Sequence, residues 1–167
     1  MKKLVVAFPV IVLFLLSSCR KDDESNAPAN NAPEGGLTAK INGEDFTFSD
    51  SNFGGSRSGS FLYLSGGLTK DSVVHNLYLT FYQVYEPKTY TGSIMIGRLE
   101  THDLRTNISH IWTTQSGSST SEQSTVTFTK LDTTNNLTSG TFKFTAGGDY
   151  GQDPIVVDGA FKNVVIE

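Results

Sequence analysis

Along residues 37–167, apolar side chains alternate with Thr, Ser, Lys and Asn, and Gly, Asn-Asn or Pro interrupts the alternation at short intervals. A period of two with frequent turn residues is the pattern of half-buried β-strands in an all-β domain, and no stretch shows the wider stripe of an amphipathic helix. Leu37, Ala39 and Ile41 form one face of a first strand, Asn42-Gly43 reads as a type I′ hairpin turn, and Phe46-Thr47-Phe48 returns. Residues 52–59 read as a Gly/Ser loop with a solvated Arg57. Residues 60–65 are apolar on both faces, as in a central strand that Gly66-Gly67 ends or bulges. Leu77, Leu79 and Phe81 are expected in the core, with Tyr78, Thr80 and Tyr82 on the opposite face.

Pro87 marks a turn, and residues 89–96 resume as a strand with Ile94 and Ile96 inward. The polar residues 99–107 carry no clear period. Ile108, His110 and Trp112 share one face of the next strand, and residues 116–124 read as an exposed hairpin loop. Val126 and Phe128, then Phe142, Phe144 and Ala146, point inward on the following two strands. In the last strand Ile155, Val157 and Phe161 have one parity and Val164 and Ile166 the other, which predicts a bulge near Gly159 or the strand end. About nine strands in mostly consecutive hairpins suit an antiparallel β-sandwich, with an up-and-down β-barrel as the alternative. The sandwich is favoured because several strands are apolar on both faces and no inward polar set marks a ligand cavity.

The pattern is different before residue 37. Lys2 and Lys3 precede an apolar run over residues 4–16, shorter than the roughly 20 residues a spanning helix needs, as in a signal peptide. Leu16-Ser17-Ser18-Cys19 resembles the lipobox of bacterial lipoproteins, and the resemblance implies cleavage after residue 18 and acylation of Cys19 with palmitate-type chains. Several such chains hold a protein on a bilayer stably where one holds it marginally. Arg20-Lys21-Asp22-Asp23-Glu24 resembles the lysine-plus-acidic export signal of Bacteroidota-type surface lipoproteins. Lys21, Asp22, Asp23 and Glu24 would then route the chain to the outer leaflet of the outer membrane; the periplasmic leaflet is the alternative. Residues 20–36 are rich in Asn, Ala, Pro and charge, with no aromatic or β-branched residue, the composition of a flexible tether. The expected organisation is therefore a signal peptide over residues 1–18, a lipidated Cys and tether over 19–36, and one β-domain over 37–167.

Loss of residues 1–18 takes Lys2 and Lys3 with it, leaving 11 of the 13 basic side chains against 17 acidic ones, a net charge of −6. That balance offers no basic footprint for nucleic acid. Cys19 is the one cysteine of the chain, so no intrachain disulfide, cysteine zinc site or further thiol nucleophile is available.

Leu37-Thr38-Ala39-Lys40-Ile41-Asn42-Gly43, Thr129-Lys130-Leu131-Asp132, the run from Ser139 through Gly140-Thr141-Phe142-Lys143-Phe144-Thr145 to Ala146, and Asp158-Gly159-Ala160-Phe161 resemble a family of Bacteroidota-type outer-membrane lipoproteins with one β-rich domain. The resemblance implies class and location. It implies no activity, because that family has none to carry over.

No nucleophile elbow, H-E-x-x-H, P-loop or EF-hand loop is present, and neither catalytic nor metal-binding residues nor a cofactor are expected. His75, His102 and His110 read as surface or turn histidines, and Asp149 and Asp153 supply too few oxygens for calcium. Asn107-Ile108-Ser109 and Asn136-Leu137-Thr138 are formal N-glycosylation sequons, and Asp71-Ser72-Val73 and Asp132-Thr133-Thr134 resemble a bacterial O-glycosylation pattern. Tyr78, Tyr82, Tyr85, Tyr90 and Trp112 are the candidate ligand contacts, amphipathic rings of the kind that stack on sugars or anchor protein partners. The leading expectation is a non-enzymatic binding domain on a membrane anchor, with glycan or a protein as partner. An accessory subunit of an envelope complex comes second and a hydrolase third.

Overall fold

The computed structural model describes residues 31–49, 51–114 and 124–167; the signal segment, Cys19, the export-type run and residues 116–123 of the expected Ser/Gly loop lie outside them. The described residues form eleven strands and no helix. Asn42 and Gly43 both take positive φ, 50° and 87°, so the expected type I′ turn joins β1 (Leu37–Ile41) to β2 (Glu44–Phe48). Asp71 and Ser72, at φ 51° and 66°, make the same kind of turn between β4 (Phe61–Lys70) and β5 (Val73–Tyr82). The remaining strands are β3 (Phe53–Ser58), β6 (Thr89–Thr91), β7 (Met95–Asp103), β8 (Ile108–Thr113), β9 (Thr125–Asp132), β10 (Leu137–Gly148) and β11 (Ile155–Val165).

Six strands pair in the order β6-β9-β10-β11-β1-β2 and five in the order β3-β4-β5-β7-β8, all antiparallel. The two sheets face each other across one core and run into each other at both corners. At one, the end of β10 leaves β9 and pairs with β8 through Gly147↔Thr113 and Gly148↔Trp112. At the other, Gly55 bridges to Ile166, and the backbone bonds from Arg57 N to Glu167 O and from Glu167 N to Gly55 O join β3 to the residues after β11. The fold is thus all-β, and its sheets close most of the way into a flattened barrel, the alternative architecture expected from the alternation.

Phenylalanines join the two sheets. Phe81, from the five-stranded sheet, meets Phe128 edge-on at 5.1 Å and lies 6.3 Å from Phe161; Phe161 in turn lies 5.6 Å from Phe128 and 6.5 Å from Phe142. Phe144 seats its ring on Gly97 of the facing sheet, where a Cβ would stand 2.5 to 2.6 Å from three ring carbons.

Several expected elements are corrected. Residues 53–58 are not a loop but β3, paired along its whole length with β4, and Arg57 Nη2 donates to the Val84 carbonyl at 3.2 Å. Gly66 and Gly67 neither end nor bulge β4, whose register with β5 is unbroken. Gly66 is there because a Cβ would meet the Phe53 ring at 2.6 Å and Asn52 O at 2.7 Å. Residues 89–96 are not one strand, because the chain leaves the six-stranded sheet after Thr91 and enters the five-stranded sheet at Met95, passing Gly92 at φ 81°. That crossing resets the parity, so Met95, Gly97 and Leu99 point inward and Ile96 outward. The expected bulge falls at the strand end. Thr138 pairs Val164 and Gly140 pairs Phe161, so Lys162 and Asn163, the latter at φ 44°, together oppose Ser139, and Val164 returns to the core.

Residues 31–36, assigned above to the tether, are laid against β11. Ala32 is buried, Gly35 N donates to Lys162 O, and Glu34 takes a hydrogen bond from Asn163 and pairs with Lys162.

Candidate functional site

The solvent faces of the two sheets differ in chemistry. Across the six-stranded sheet one register row runs Thr89, Thr127, Thr141, Ala160, Thr38, Thr47, short and mostly hydroxylated. Across the five-stranded sheet the corresponding positions carry rings. Phe61 lies opposite Tyr82; Ser56, Tyr63, Thr80 and Ile96 form a second row; Gly54, Ser65, Tyr78, Arg98 and Thr113 a third; Gly67, Asn76, Glu100 and Ile111 a fourth. Of these, Phe61, Tyr63, Tyr78, Thr80, Tyr82, Ile96, Arg98, Glu100, Ile111 and Thr113 line a depression of about 790 Å³, with Thr80 between Tyr63 and Ile96 across the strands. Phe61 and Tyr63 stack at 6.0 Å, and Tyr82 meets Phe61 edge-on at 4.9 Å. Phe61, Tyr63 and Tyr78 are 36 to 38% exposed, so each ring is held by its neighbours and still offers surface to solvent.

Charge in the depression is balanced. Arg98 and Glu100 form an ion pair, and the Arg98 guanidinium lies 6.0 Å from the centre of the Tyr78 ring. The depression therefore offers ring surface, two hydroxyl-bearing threonines and a fork of fixed donors beside a carboxylate, with little net charge.

The five aromatic candidates do not come together. Tyr78 and Tyr82 are in the depression. Tyr90 is a core residue, 8% exposed, whose ring meets Phe128 edge-on at 6.1 Å and whose hydroxyl donates to Glu86 O at 2.9 Å. It points inward because β6 belongs to the other sheet. Trp112 pairs with Leu99, an inward position, so its indole packs against the core and Nε1 donates to Asp153 O at 3.1 Å. Tyr85 is 68% exposed in the loop after β5, its hydroxyl 3.4 Å from Ser60 Oγ. The sequence reading missed Phe61, Tyr63, Ile96, Arg98 and Glu100; its one signal was the strand at residues 60–65 with apolar residues on both faces.

The histidines also separate. His75 and His110 flank Thr101 on the inner face, His75 against the Phe46 ring at 4.8 Å and His110 against Trp112 at 5.8 Å. His102 is on the outer face with Nδ1 2.9 Å from Ser109 Oγ, while the neighbouring Asp103 carboxylate is taken up by Arg105 and by the turn amides of Arg105 and Thr106. Those bonds, the Arg105 side chain first, hold the Asp103 carboxyl below the usual carboxylate range. Asp149 clasps β8 through Ile111 N at 3.2 Å, and among the described residues no three His, Cys, Asp or Glu converge as metal ligands. Asp132 accepts from the amides of Thr134 and Asn135, and Asp71-Ser72 is the hairpin turn described above, so both O-glycosylation-like patterns lie in turns. Asn107 and Asn136 of the sequons occupy left-handed turn positions at φ 58° and 54°.

His75 gives the fold an acid sensitivity. Burial lowers its pKa, against an opposing influence of Glu44 and with a smaller lowering from Lys70. The folded state then binds fewer protons than the unfolded chain, so the stabilisation from neutral His75 is complete above about pH 6.5 and is lost as the pH falls through the lowered folded value. The unfolding temperature is expected to drop as the pH falls below about 6.5, before the carboxylates begin to titrate. In His75→Gln that drop should shrink; an unchanged drop would place the acid sensitivity elsewhere.

No protein-family profile, curated protein or solved structure matches the chain.

Proposed function

We propose that the protein is a non-enzymatic glycan-binding domain, held by acylated Cys19 at the bacterial outer membrane with the domain at the cell surface, and that the ligand lies on the outer face of the five-stranded sheet. The observation that carries this reading is the contrast between the two solvent faces. An outward strand position is filled adequately by Thr, as the other sheet shows, yet here Phe61, Tyr63, Tyr78 and Tyr82 occupy adjacent outward positions around Thr80. A cluster of exposed rings in a concave setting marks a contact surface rather than default packing. Rings at the walls, with Thr80, Thr113, Arg98 and Glu100 between them, match a ligand that has apolar ring faces and hydroxyl edges, which is the chemistry of a pyranose.

Glycan-array binding by the detergent-solubilised protein tests this. Tyr82→Ala and Tyr63→Ala are each expected to weaken binding by about tenfold, the loss of one stacking contact. Trp112→Phe, which alters an inward-facing ring, is expected to leave binding unchanged. Full binding by Tyr82→Ala, or lost binding by folded Trp112→Phe, would remove the glycan reading of this face.

A further inference from the structure

The aromatic depression does not end at β4. Tyr63 also lines a second depression of about 400 Å³ on the same outer face, which extends over Gly54, Ser56 and Ser65 to Val165 and Glu167 at the seam with β11. The outward positions of β3 between the two are Gly54, Ser56 and Ser58, all small, so no side chain on that strand stands up as a barrier. With strands about 4.8 Å apart, the path from β8 to β3 measures roughly 19 Å across the sheet. One sugar ring fills a fraction of that length.

Resting on the glycan reading above, we propose that the two depressions are successive subsites for one linear, neutral oligosaccharide of several rings, lying across the strands and turning over Tyr63. The charge of the strip excludes the polyanionic class. Its charged lining side chains are Arg98, Glu100 and Glu167, and Arg98 is already paired with Glu100, so the strip has no surplus cation to offer a sulfate or uronate. Chain length, not charge, is what this surface selects.

The test uses the whole protein on an array printed with gluco-, manno- and xylo-oligosaccharides from disaccharide to hexasaccharide, together with heparin and hyaluronan hexasaccharides. On the bound series, affinity is expected to rise by about tenfold or more from disaccharide to hexasaccharide. The double variant Gly54→Leu, Ser56→Leu fills the second depression. A Cβ at Gly54 meets nothing within 4 Å and the position has no positive φ, so the fold accepts it. This variant is expected to bind the disaccharide as before while the rise with length falls below about twofold. A flat length series, a rise that survives the double variant, or preference for heparin or hyaluronan would overturn the two-subsite proposal and leave the aromatic site standing. Tyr82→Ala should lower all lengths together. If no printed glycan binds at all, the glycan reading fails and this proposal fails with it.

Discussion

Phe161→Ala is expected to lower the stability of the domain by about 3–5 kcal/mol, the range for an aromatic side chain removed from a core that closes poorly around the gap. Phe161 is fully buried and touches the rings of Phe81, Phe128 and Phe142, so its loss opens a cavity between the two sheets rather than at the edge of one. The neighbours have little freedom to move in. Gly140 opposes Phe161 across the strand pair, and Phe142 and Phe144 are stacked on each other, Phe142 also against Gly159 of the neighbouring strand and Phe144 against Gly97 of the facing sheet. Total stabilities of single domains are about 5–15 kcal/mol, so much of the margin would go, with a fall in unfolding temperature of roughly 10–20 °C. Calorimetry of wild type and variant checks this. A loss under about 1 kcal/mol would mean that the sheets are not joined through this ring.

Most rings of the core, and Tyr78 and Tyr82 of the depression, were legible in the alternation, and Phe61 and Tyr63 were not, for one physical reason. A period of two assigns each residue to one of two faces, and for Leu77, Leu79, Phe81, Val126, Phe128, Phe142 and Phe144 the more apolar face is the inner one, as the structure has it. Where both faces of a strand carry rings, the pattern is silent about which is covered. Phe61 and Tyr63 therefore read as the second buried face of a central strand, and β4 is central, but its outer face is open. Tyr90 and Trp112 failed in the opposite direction. Their faces depend on which sheet the strand joins, and the crossing between Thr91 and Met95 is a long-range choice that local composition does not encode. β3 was missed because Gly54, Gly55, Ser56 and Ser58 have the composition of a loop. They form a strand because β4 supplies a full set of backbone partners and because Gly55 admits Ile166 at the closing seam.

Cys19→Ala is expected to have the largest effect on where the proposed binding surface operates. Each buried methylene of an acyl chain contributes about 0.8 kcal/mol, so loss of all chains from the mature terminus should reduce membrane partition by more than about 1000-fold. Fractionation should find the mature-length variant in the aqueous phase, with unprocessed precursor separated by mass, and palmitate label should enter the wild type alone. Mature-length Cys19→Ala that still sediments with membranes would refute the anchor. The docking of residues 31–36 on β11 sets how far that anchor lets the domain stand off. Residues 20–30 span at most about 40 Å when fully extended, and Gly35 itself lines the second depression, so under the proposed anchor that end of the strip would be the one nearer the membrane. A ligand long enough to reach both depressions would then have one end held towards the lipid and the other over the aromatic cluster. Protease accessibility of the domain on intact cells distinguishes the two leaflets: cleavage without permeabilisation is the expected result, and protection until the outer membrane is opened would move the domain to the periplasmic side.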